Sequence, residues 1–198
     1  MHREIMLLLG IVGMPGAGKT SVAEYLKSKC FPSVRLGSIV TSEVLRRSLP
    51  LTPENERAIR EEFRAQHGMD VMAQKSLPDI HALMERSPVV VIDGLYSFAE
   101  YKLFNEQFGD SLVLIAVAAS RLVRYRRLEC RSDRPLSVSQ AKERDFREIE
   151  TLEKGGPIAI ADYTLINDGT PAELNAKVDE LLRNLRIAEE MDLCKKMQ

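Results

Sequence analysis

Continuous apolar runs, separated by longer amphipathic stretches, dominate the hydrophobic pattern of the chain. The clearest runs cover residues 5–12, 89–92, 112–117 and 163–166, with a weaker candidate at 34–36. Runs that are apolar throughout, rather than alternating with polar residues, are typical of parallel strands buried on both faces. Because helical stretches separate the runs, the order predicts an α/β fold in which a parallel sheet carries helices on both faces.

Capping signals mark several of the predicted helix starts. Thr52 precedes a proline, which is typical of an N-cap followed by the first helical residue. Capping-box spacing occurs at three further places, Ser97 with Glu100, Ser137 with Gln140, and Thr170 with Glu173. Residues 38–86 contain no strand pattern and are predicted to form a helical insertion between the second and third strands. Within it, Pro78 is expected to kink or split the segment 70–86.

Composition and charge limit the classes of protein to consider. A chain of 198 residues with a net charge of −1 matches one α/β domain, and it gives no overall electrostatic case for nucleic-acid or membrane binding. Cys30, Cys130 and Cys194 are far apart, as expected for reduced thiols rather than a disulfide framework or metal site. The longest apolar run, 5–12, is too short to span a bilayer and lacks a signal-peptide cleavage site. We therefore expect a cytoplasmic protein whose residues 1–198 form one domain.

The strongest chemical signal lies in residues 13–20, which read Gly-Met-Pro-Gly-Ala-Gly-Lys-Thr. They fit the phosphate-binding pattern G-x-x-x-x-G-K-[ST], and they stand between a predicted strand and a predicted helix. In such a loop, backbone N–H groups and the helix N-terminus converge on phosphate oxygens. The alternative is a glycine-rich turn that only connects a strand to a helix.

Particular roles follow for the residues of this loop. The predicted nucleotide contacts are Gly13, Met14, Pro15, Gly16, Ala17, Gly18, Lys19, Thr20 and Ser21. Lys19 is expected to reach the β- and γ-phosphates, and the Thr20 hydroxyl is expected to ligate Mg²⁺. The sequence therefore predicts a site for a nucleoside triphosphate with magnesium.

An acidic residue, Asp93, follows the apolar run 89–92 and precedes Gly94. At the carboxyl end of a buried strand it would emerge beside the phosphate-binding loop, where it can hold magnesium directly or through water. The alternative is an Asp-Gly turn that merely closes the strand. Beside an intact phosphate-binding loop, we favour the metal-binding interpretation.

An arginine-rich segment follows the fourth strand candidate and contains Arg121, Arg124, Arg126, Arg127, Arg131 and Arg134. The spacing of Arg124, Arg127 and Arg131 would place them on one helix face. Such a face offers planar donors to phosphate oxygens and to charge that develops in phosphoryl transfer. With Arg144 and Arg147 on the next predicted helix, the segment is typical of a hinged lid. The alternative is a solvated basic face paired with acidic neighbours.

The order of these motifs resembles the nucleoside-monophosphate-kinase group of P-loop kinases, which includes adenylate kinase and dephospho-coenzyme A kinase. More narrowly, it resembles the archaeal adenylate-kinase-related family over nearly the whole chain. The matching segments are residues 13–20, 52–55, 68–70, 91–94, 143–145 and 161–163. The resemblance implies a five-stranded parallel sheet, an acceptor-binding insertion at about 38–86 and a lid at about 121–150.

The resemblance also implies roles for individual residues. Arg127 and Arg131 match an Arg-x-x-x-Arg pattern of the adenylate kinase lid, in which the first arginine packs on adenine and the second contacts phosphate. Asn167 and Gly169 match the loop that such kinases place against adenine. The expected catalytic residues are Lys19, Asp93, Arg127 and Arg131, and the expected magnesium ligands are Thr20 and Asp93.

Two departures from the adenylate kinase pattern concern the phosphoryl acceptor. After the second strand these kinases carry Gly-Asp-x-x-Arg, whereas residues 37–41 read Gly-Ser-Ile-Val-Thr. They also carry an arginine four positions after the Asp of the Asp-Gly pair, where this chain has Ser97. Both arginines that grip the acceptor phosphate are therefore absent at the expected positions. Candidates to replace them on the insertion helices are Arg46, Arg47, Arg60 and Arg64.

The leading hypothesis is a kinase that uses ATP and Mg²⁺ to phosphorylate a nucleotide-like small molecule, with a nucleoside monophosphate such as AMP as first choice. One alternative is a dephospho-coenzyme A kinase-like enzyme. Another is an ATP-dependent switch or assembly factor with slow ATPase activity and a macromolecular partner. A signalling GTPase is disfavoured, because residues 167–169 do not match the guanine-reading pattern Asn-Lys-x-Asp.

Overall fold

Five parallel strands form one sheet in the order β2-β3-β1-β4-β5, within residues 6–187, which the computed structural model describes. The strands are β1 (Leu7–Val12), β2 (Ser33–Arg35), β3 (Val89–Asp93), β4 (Leu112–Ala118) and β5 (Tyr163–Ile166). The helices are α1 (Lys19–Ser28), α2 (Gly37–Arg46), α3 (Pro53–His67), α4 (Val71–Met84), α5 (Phe98–Phe108), α6 (Arg121–Glu129), α7 (Val138–Leu152), α8 (Gly155–Ala159) and α9 (Pro171–Asn184), with a 3₁₀ turn at Gly109–Ser111. The predicted fold class, a P-loop NTPase-type parallel sheet with helices on both faces, is confirmed.

The central strand β1 is buried along its whole length and separates two hydrophobic cores. Leu7, Leu9 and Ile11 face the core shared with α1 and α9, while Leu8 and Val12 face the core shared with α2 to α5. This arrangement explains why the strand is apolar at nearly every position rather than at alternate ones. It also brings the carboxyl ends of β1, β3 and β4 to one edge of the sheet.

The local predictions hold with one exception. The capping boxes at Ser97, Ser137 and Thr170 are all present, and the Thr52 side chain accepts a hydrogen bond from a backbone N–H of the first turn of α3. Pro78, however, does not split its segment, because it lies inside the continuous helix α4. Burial of Val71, Met72, Ala73 and Ile80 against the core stabilises this helix enough to retain a proline in its interior.

A buried ion pair joins α6 to α7. The Arg124 guanidinium donates two hydrogen bonds to Asp145, at 2.9 and 2.6 Å, and a third to the backbone oxygen of Pro15 at 2.9 Å. Asp145 also accepts a 3.1 Å hydrogen bond from the Tyr125 hydroxyl. Both charged groups are buried, and each compensates the charge of the other. The hydrogen bond from Arg124 to the Pro15 oxygen also attaches the two helices to the segment 13–18.

We expect Asp145→Ala to lower the free energy of unfolding by about 3–5 kcal/mol, because it leaves the Arg124 guanidinium buried without its counter-charge. Urea denaturation followed by circular dichroism measures the change. Asp133→Ala is the matched control, since the Asp133 side chain is 88% exposed and its contact with Arg134 is 3.8 Å long. Equal effects of the two substitutions would show that the buried pair does not stabilise the fold.

Candidate functional site

The loop between β1 and α1 passes so close to its neighbours that three of its positions exclude a side chain. Gly13, Gly16 and Gly18 all have positive φ angles. A Cβ atom at Gly13 would lie 2.3 Å from the Val117 oxygen, and one at Gly16 would lie 2.6 Å from the Arg124 oxygen. The loop therefore lies in the compact conformation that cradles phosphate in this type of motif, and its shape fits the predicted nucleotide.

The polar residues of the loop are held at its mouth. The Lys19 ammonium donates to the backbone oxygens of Gly13 at 2.7 Å and Met14 at 3.1 Å, so it lies folded across the loop. Thr20 and Ser21 follow on the first turn of α1 with exposed side chains. Within residues 6–187 no hydrogen bond engages the Thr20 hydroxyl, which leaves it available to ligate a metal ion.

Asp93 ends β3, directly beside the loop. Its Cα is in register with Ile11 of β1 and with Arg35 of β2, and its carboxylate lies 3.9 Å from the Arg35 guanidinium. Partial burial raises the pKa of Asp93, while the positive charges of Arg35 and Lys19 lower it. The effect of burial is the larger, so the pKa of Asp93 lies above its usual value.

The predicted adenine-side residues come together at the other side of the loop. The Arg127 guanidinium donates to the backbone oxygens of Asn167 at 2.8 Å and Gly169 at 3.2 Å. The Asn167 side chain donates to the Ala17 oxygen at 2.8 Å. One network therefore connects α6, the turn after β5 and the phosphate-binding loop.

The arginines of the segment 121–134 differ in their burial and in their contacts. Arg124 is buried in its pair with Asp145 and cannot be the phosphate donor that its spacing suggested. Arg131 does not share a helix face with Arg127, because α6 ends at Glu129, two residues before it. Arg131 is exposed but still close enough to contribute to lowering the pKa of Lys19. Arg134, in the connection to α7, donates to Glu56 of α3 at 3.1 Å.

Three charged residues that the sequence did not bring together form a cluster that acts electrostatically on Lys19. Glu148 on α7 accepts a 2.9 Å hydrogen bond from Arg144 and also pairs with the fully buried Lys154 ammonium. The Lys154 ammonium lies 4.8 Å from the centre of the Tyr96 ring. The attraction of Lys154 and Arg144 outweighs burial and keeps the pKa of Glu148 below its usual value. No local signal marks Lys154, since a lysine between a helix end and two glycines is usually a surface residue.

The insertion arginines divide into two groups. Arg46 and Arg47 both bind Glu43, and Arg47 makes two further hydrogen bonds to Glu62, at 2.8 and 2.7 Å. These two arginines are therefore held by carboxylates at the surface. Arg64, in contrast, points into the protein with a buried Nε atom.

The crowding of positive charge changes the acidity of Lys19. Burial, followed by repulsion from Lys154, lowers the pKa of Lys19 from 10.5 to about 7, and only Glu148 opposes this among the named influences. A triphosphate in the loop would supply negative charge and raise that pKa again. Below pH 7, Lys19 would already be protonated when the nucleotide binds. Above pH 7, nucleotide binding would require Lys19 to take up a proton.

We expect the affinity for Mg²⁺ and a non-hydrolysable ATP analogue to fall as the pH rises from 7 to 9, with uptake of up to one proton at pH 8. Titration calorimetry at pH 8 in two buffers of different ionisation enthalpy measures that proton. Lys19→Arg is the matched control, because a guanidinium stays charged throughout this range. The same proton uptake in the variant would contradict the assignment to Lys19.

Two further observations limit the chemistry within residues 6–187. No group of three or more His, Cys, Asp or Glu side chains is arranged to hold a metal ion. In the same part of the chain, no helix has the length and apolar character needed to cross a membrane.

Solved structures share this fold. A protein from Thermus thermophilus superposes with a TM-score of 0.60 at 20% identity, covering 90% of this chain and 97% of that one. A shikimate kinase from Bacteroides thetaiotaomicron gives 0.59 at 15% identity, covering 91% and 98%. A gluconokinase from Sinorhizobium meliloti gives 0.53 at 17% identity, covering 94% and 99%. At these identities the likeness shows the P-loop kinase-like fold alone, and the narrower adenylate-kinase relationship stays a prediction.

Sequence relatives define the family. A family model described as an AAA domain matches residues 9–153. The UPF0200 protein of Thermococcus gammatolerans is 36% identical over 182 residues, which cover 90% of this chain and 95% of that protein. The UPF0200 protein of Methanocaldococcus jannaschii is 34% identical over 182 residues, covering 91% of each. The chain therefore belongs to the UPF0200 family and carries a P-loop kinase-like nucleotide-binding domain.

Proposed function

We propose that this protein transfers the γ-phosphoryl group of ATP to a nucleotide-like small molecule, with a nucleoside monophosphate such as AMP as the first acceptor to test. The observation that supports the proposal is the hydrogen-bonded cluster of Arg144, Glu148 and the buried Lys154, whose charges act on Lys19 of the phosphate-binding loop. A loop that only bound a nucleotide would not require buried cations beyond its own lysine. Phosphoryl transfer does require them, because charge spreads over the equatorial oxygens of the moving group.

The donor half of the proposed site consists of the loop residues 13–21 with Arg127, Asn167 and Gly169. The backbone N–H groups of the loop would bind the β-phosphate, and Lys19 would leave the Gly13 and Met14 oxygens to contact the β- and γ-phosphates. Thr20 and Asp93 would hold Mg²⁺, which neutralises charge on the phosphate oxygens when bound. Arg127 and the turn at Asn167 would position the base.

The acceptor half would draw its positive charge from Lys154 and Arg144. These residues come from α7 and the turn into α8, whereas the two arginines expected from the adenylate kinase pattern would have come from positions 41 and 97. In the proposed reaction an acceptor oxygen bonds to the γ-phosphorus while the bond to the ADP oxygen breaks. The negative charge between the two nucleotides would then be stabilised by Lys154, Arg144 and the exposed Arg131.

We expect acceptor-dependent ADP release from ATP and Mg²⁺ when AMP, other nucleoside monophosphates and dephospho-coenzyme A are supplied in turn. Lys19→Met should reduce turnover with every acceptor by at least 10²-fold, because it removes the positive charge that would contact the γ-phosphate. A coupled spectrophotometric assay with a no-acceptor control measures the rates. Turnover equal in every well, or none, would favour the ATP-dependent switch with a macromolecular partner.

We expect Lys154→Met to lower kcat by roughly 10–100-fold, the usual effect of losing one charged hydrogen bond to a phosphate oxygen. The KM for ATP should change little, since the loop and Lys19 remain. Lys142→Met, an exposed substitution on α7, is the control. If both variants keep the wild-type kcat, the cluster around Glu148 has only a structural role.

A further inference from the structure

The side chain of Tyr96 folds back over the turn that ends β3. Gly94, in this turn, has a φ angle of 88°. A Cβ atom at Gly94 would lie 2.8 Å from Cε2 of Tyr96 and 2.9 Å from its hydroxyl oxygen. A larger residue would thus be strained in its backbone and would also collide with the ring. The ring therefore packs directly against the backbone that follows Asp93.

The backbone of Tyr96 is held in place as well. Its N–H group donates a 2.7 Å hydrogen bond to the Glu100 carboxylate. The same carboxylate accepts a 3.0 Å hydrogen bond from the Ser97 N–H and belongs to the capping box of α5. Because Glu100 is fully buried, a shift of the Tyr96 backbone would break buried hydrogen bonds.

The ring of Tyr96 has a second neighbour, the Lys154 ammonium, which lies 4.8 Å from the ring centre. This ammonium is fully buried and pairs with the Glu148 carboxylate. The face of an aromatic ring attracts a cation, and it does so most strongly where water is excluded. The ring thus supplies a second favourable contact for a charge that burial disfavours.

Through these two contacts Tyr96 connects separate parts of the proposed site. The turn at Asp93 and Gly94 lies at the edge of the sheet, whereas Lys154 lies between α7 and α8. Within residues 6–187, no ion pair joins Asp93 to Lys154. An aromatic side chain has only two χ angles, so it can hold two groups at a constant separation.

We propose that Tyr96 is a positioning residue, the ring of which fixes the Lys154 ammonium relative to the Asp93–Gly94 turn. The inference rests on the proposed function, because that function gives Lys154 its contact with phosphate oxygens. A cation stabilises a moving phosphoryl group best when it already stands in place and needs no reorganisation during the reaction. The ring would therefore affect the rate of transfer, whereas the loop 13–21 would determine the binding of ATP.

Two substitutions separate the role of the ring from that of the hydroxyl. Tyr96→Phe keeps the aromatic face and removes the hydroxyl, whereas Tyr96→Leu removes the ring. Tyr25→Leu is the matched control, because the Lys29 ammonium also lies 4.8 Å from the centre of the Tyr25 ring. Neither Tyr25 nor Lys29 belongs to the proposed site.

The first measurement is steady-state kinetics of the full chain, with the acceptor that gives the fastest ADP release. We expect Tyr96→Leu to lower kcat roughly tenfold, the fold-change expected for one desolvated cation–π contact, while the KM for ATP stays within about twofold of wild type. Tyr96→Phe should restore the wild-type kcat, and Tyr25→Leu should keep it.

The second measurement tests the contact without any turnover. In the nuclear magnetic resonance spectrum of the wild-type protein, a nuclear Overhauser effect should join the ring protons of Tyr96 to the ε-methylene protons of Lys154. N-hydroxysuccinimidyl acetate should acetylate Lys154 faster in Tyr96→Leu than in the wild type or Tyr96→Phe, as read by mass spectrometry. Lys29 serves as the internal reference, because its labelling should change in Tyr25→Leu alone.

Three results would overturn the inference. They are the absence of the Overhauser effect in the wild type, an unchanged kcat in Tyr96→Leu, and an equal loss of kcat in Tyr96→Phe, which would assign the effect to the hydroxyl. The first of these does not depend on any variant folding. A wild-type protein that shows the Overhauser effect and a protected Lys154, but transfers phosphate to no acceptor, would retain the contact and reject the proposed function.

Discussion

Positive charges crowd around Lys19, and holding them there before any nucleotide binds is the constraint on which the site depends. Lys154, Arg144 and Arg131 all act to lower the pKa of Lys19. Of these, Lys154 is fully buried, and burying its charge without compensation would cost several kcal/mol. Glu148 provides the compensation, because its carboxylate contacts both Arg144 and Lys154. One carboxylate thus holds both cations, which in the proposed function would meet phosphate oxygens.

The same helix that carries Glu148 also fixes the phosphate-binding loop. Asp145 lies three residues before Glu148, so the two carboxylates share one face of α7. Asp145 binds Arg124, and Arg124 reaches the Pro15 oxygen of the loop. A lid that moved as a whole over residues 121–150 would carry the Arg124–Asp145 pair with it, but it would have to break the buried hydrogen bond from Arg124 to the Pro15 oxygen. In the connection 130–137, by contrast, Arg134 contacts Glu56 of α3 across an exposed surface.

Much of the fold could be predicted from the sequence because its signals are local. Strands buried on both faces are apolar throughout, and caps such as Thr52 and Ser97 require only a few neighbouring residues. The expectation that Pro78 would split its segment was wrong, because helix propensity is local whereas the core that retains α4 is not. Arg124 and Arg131 were misplaced for a related reason, since spacing alone shows neither where α6 ends nor which arginine has a buried carboxylate opposite it.

The donor half and the acceptor half of the proposed site use different kinds of atoms. This difference explains why the sequence predicts the donor half better than the acceptor half. The donor half depends on backbone atoms, so it needs glycines at fixed spacing, and a motif records them. The proposed acceptor half would depend on side chains rather than on backbone atoms, and several arrangements of charge could bind the same phosphate. The loss of an arginine at position 97 is therefore not a loss of function in itself. In this chain the capping box at that position fixes Glu100, and the proposed function would take its positive charge from Lys154 instead. Acceptor specificity in such a fold can change while the nucleotide-binding loop stays constant.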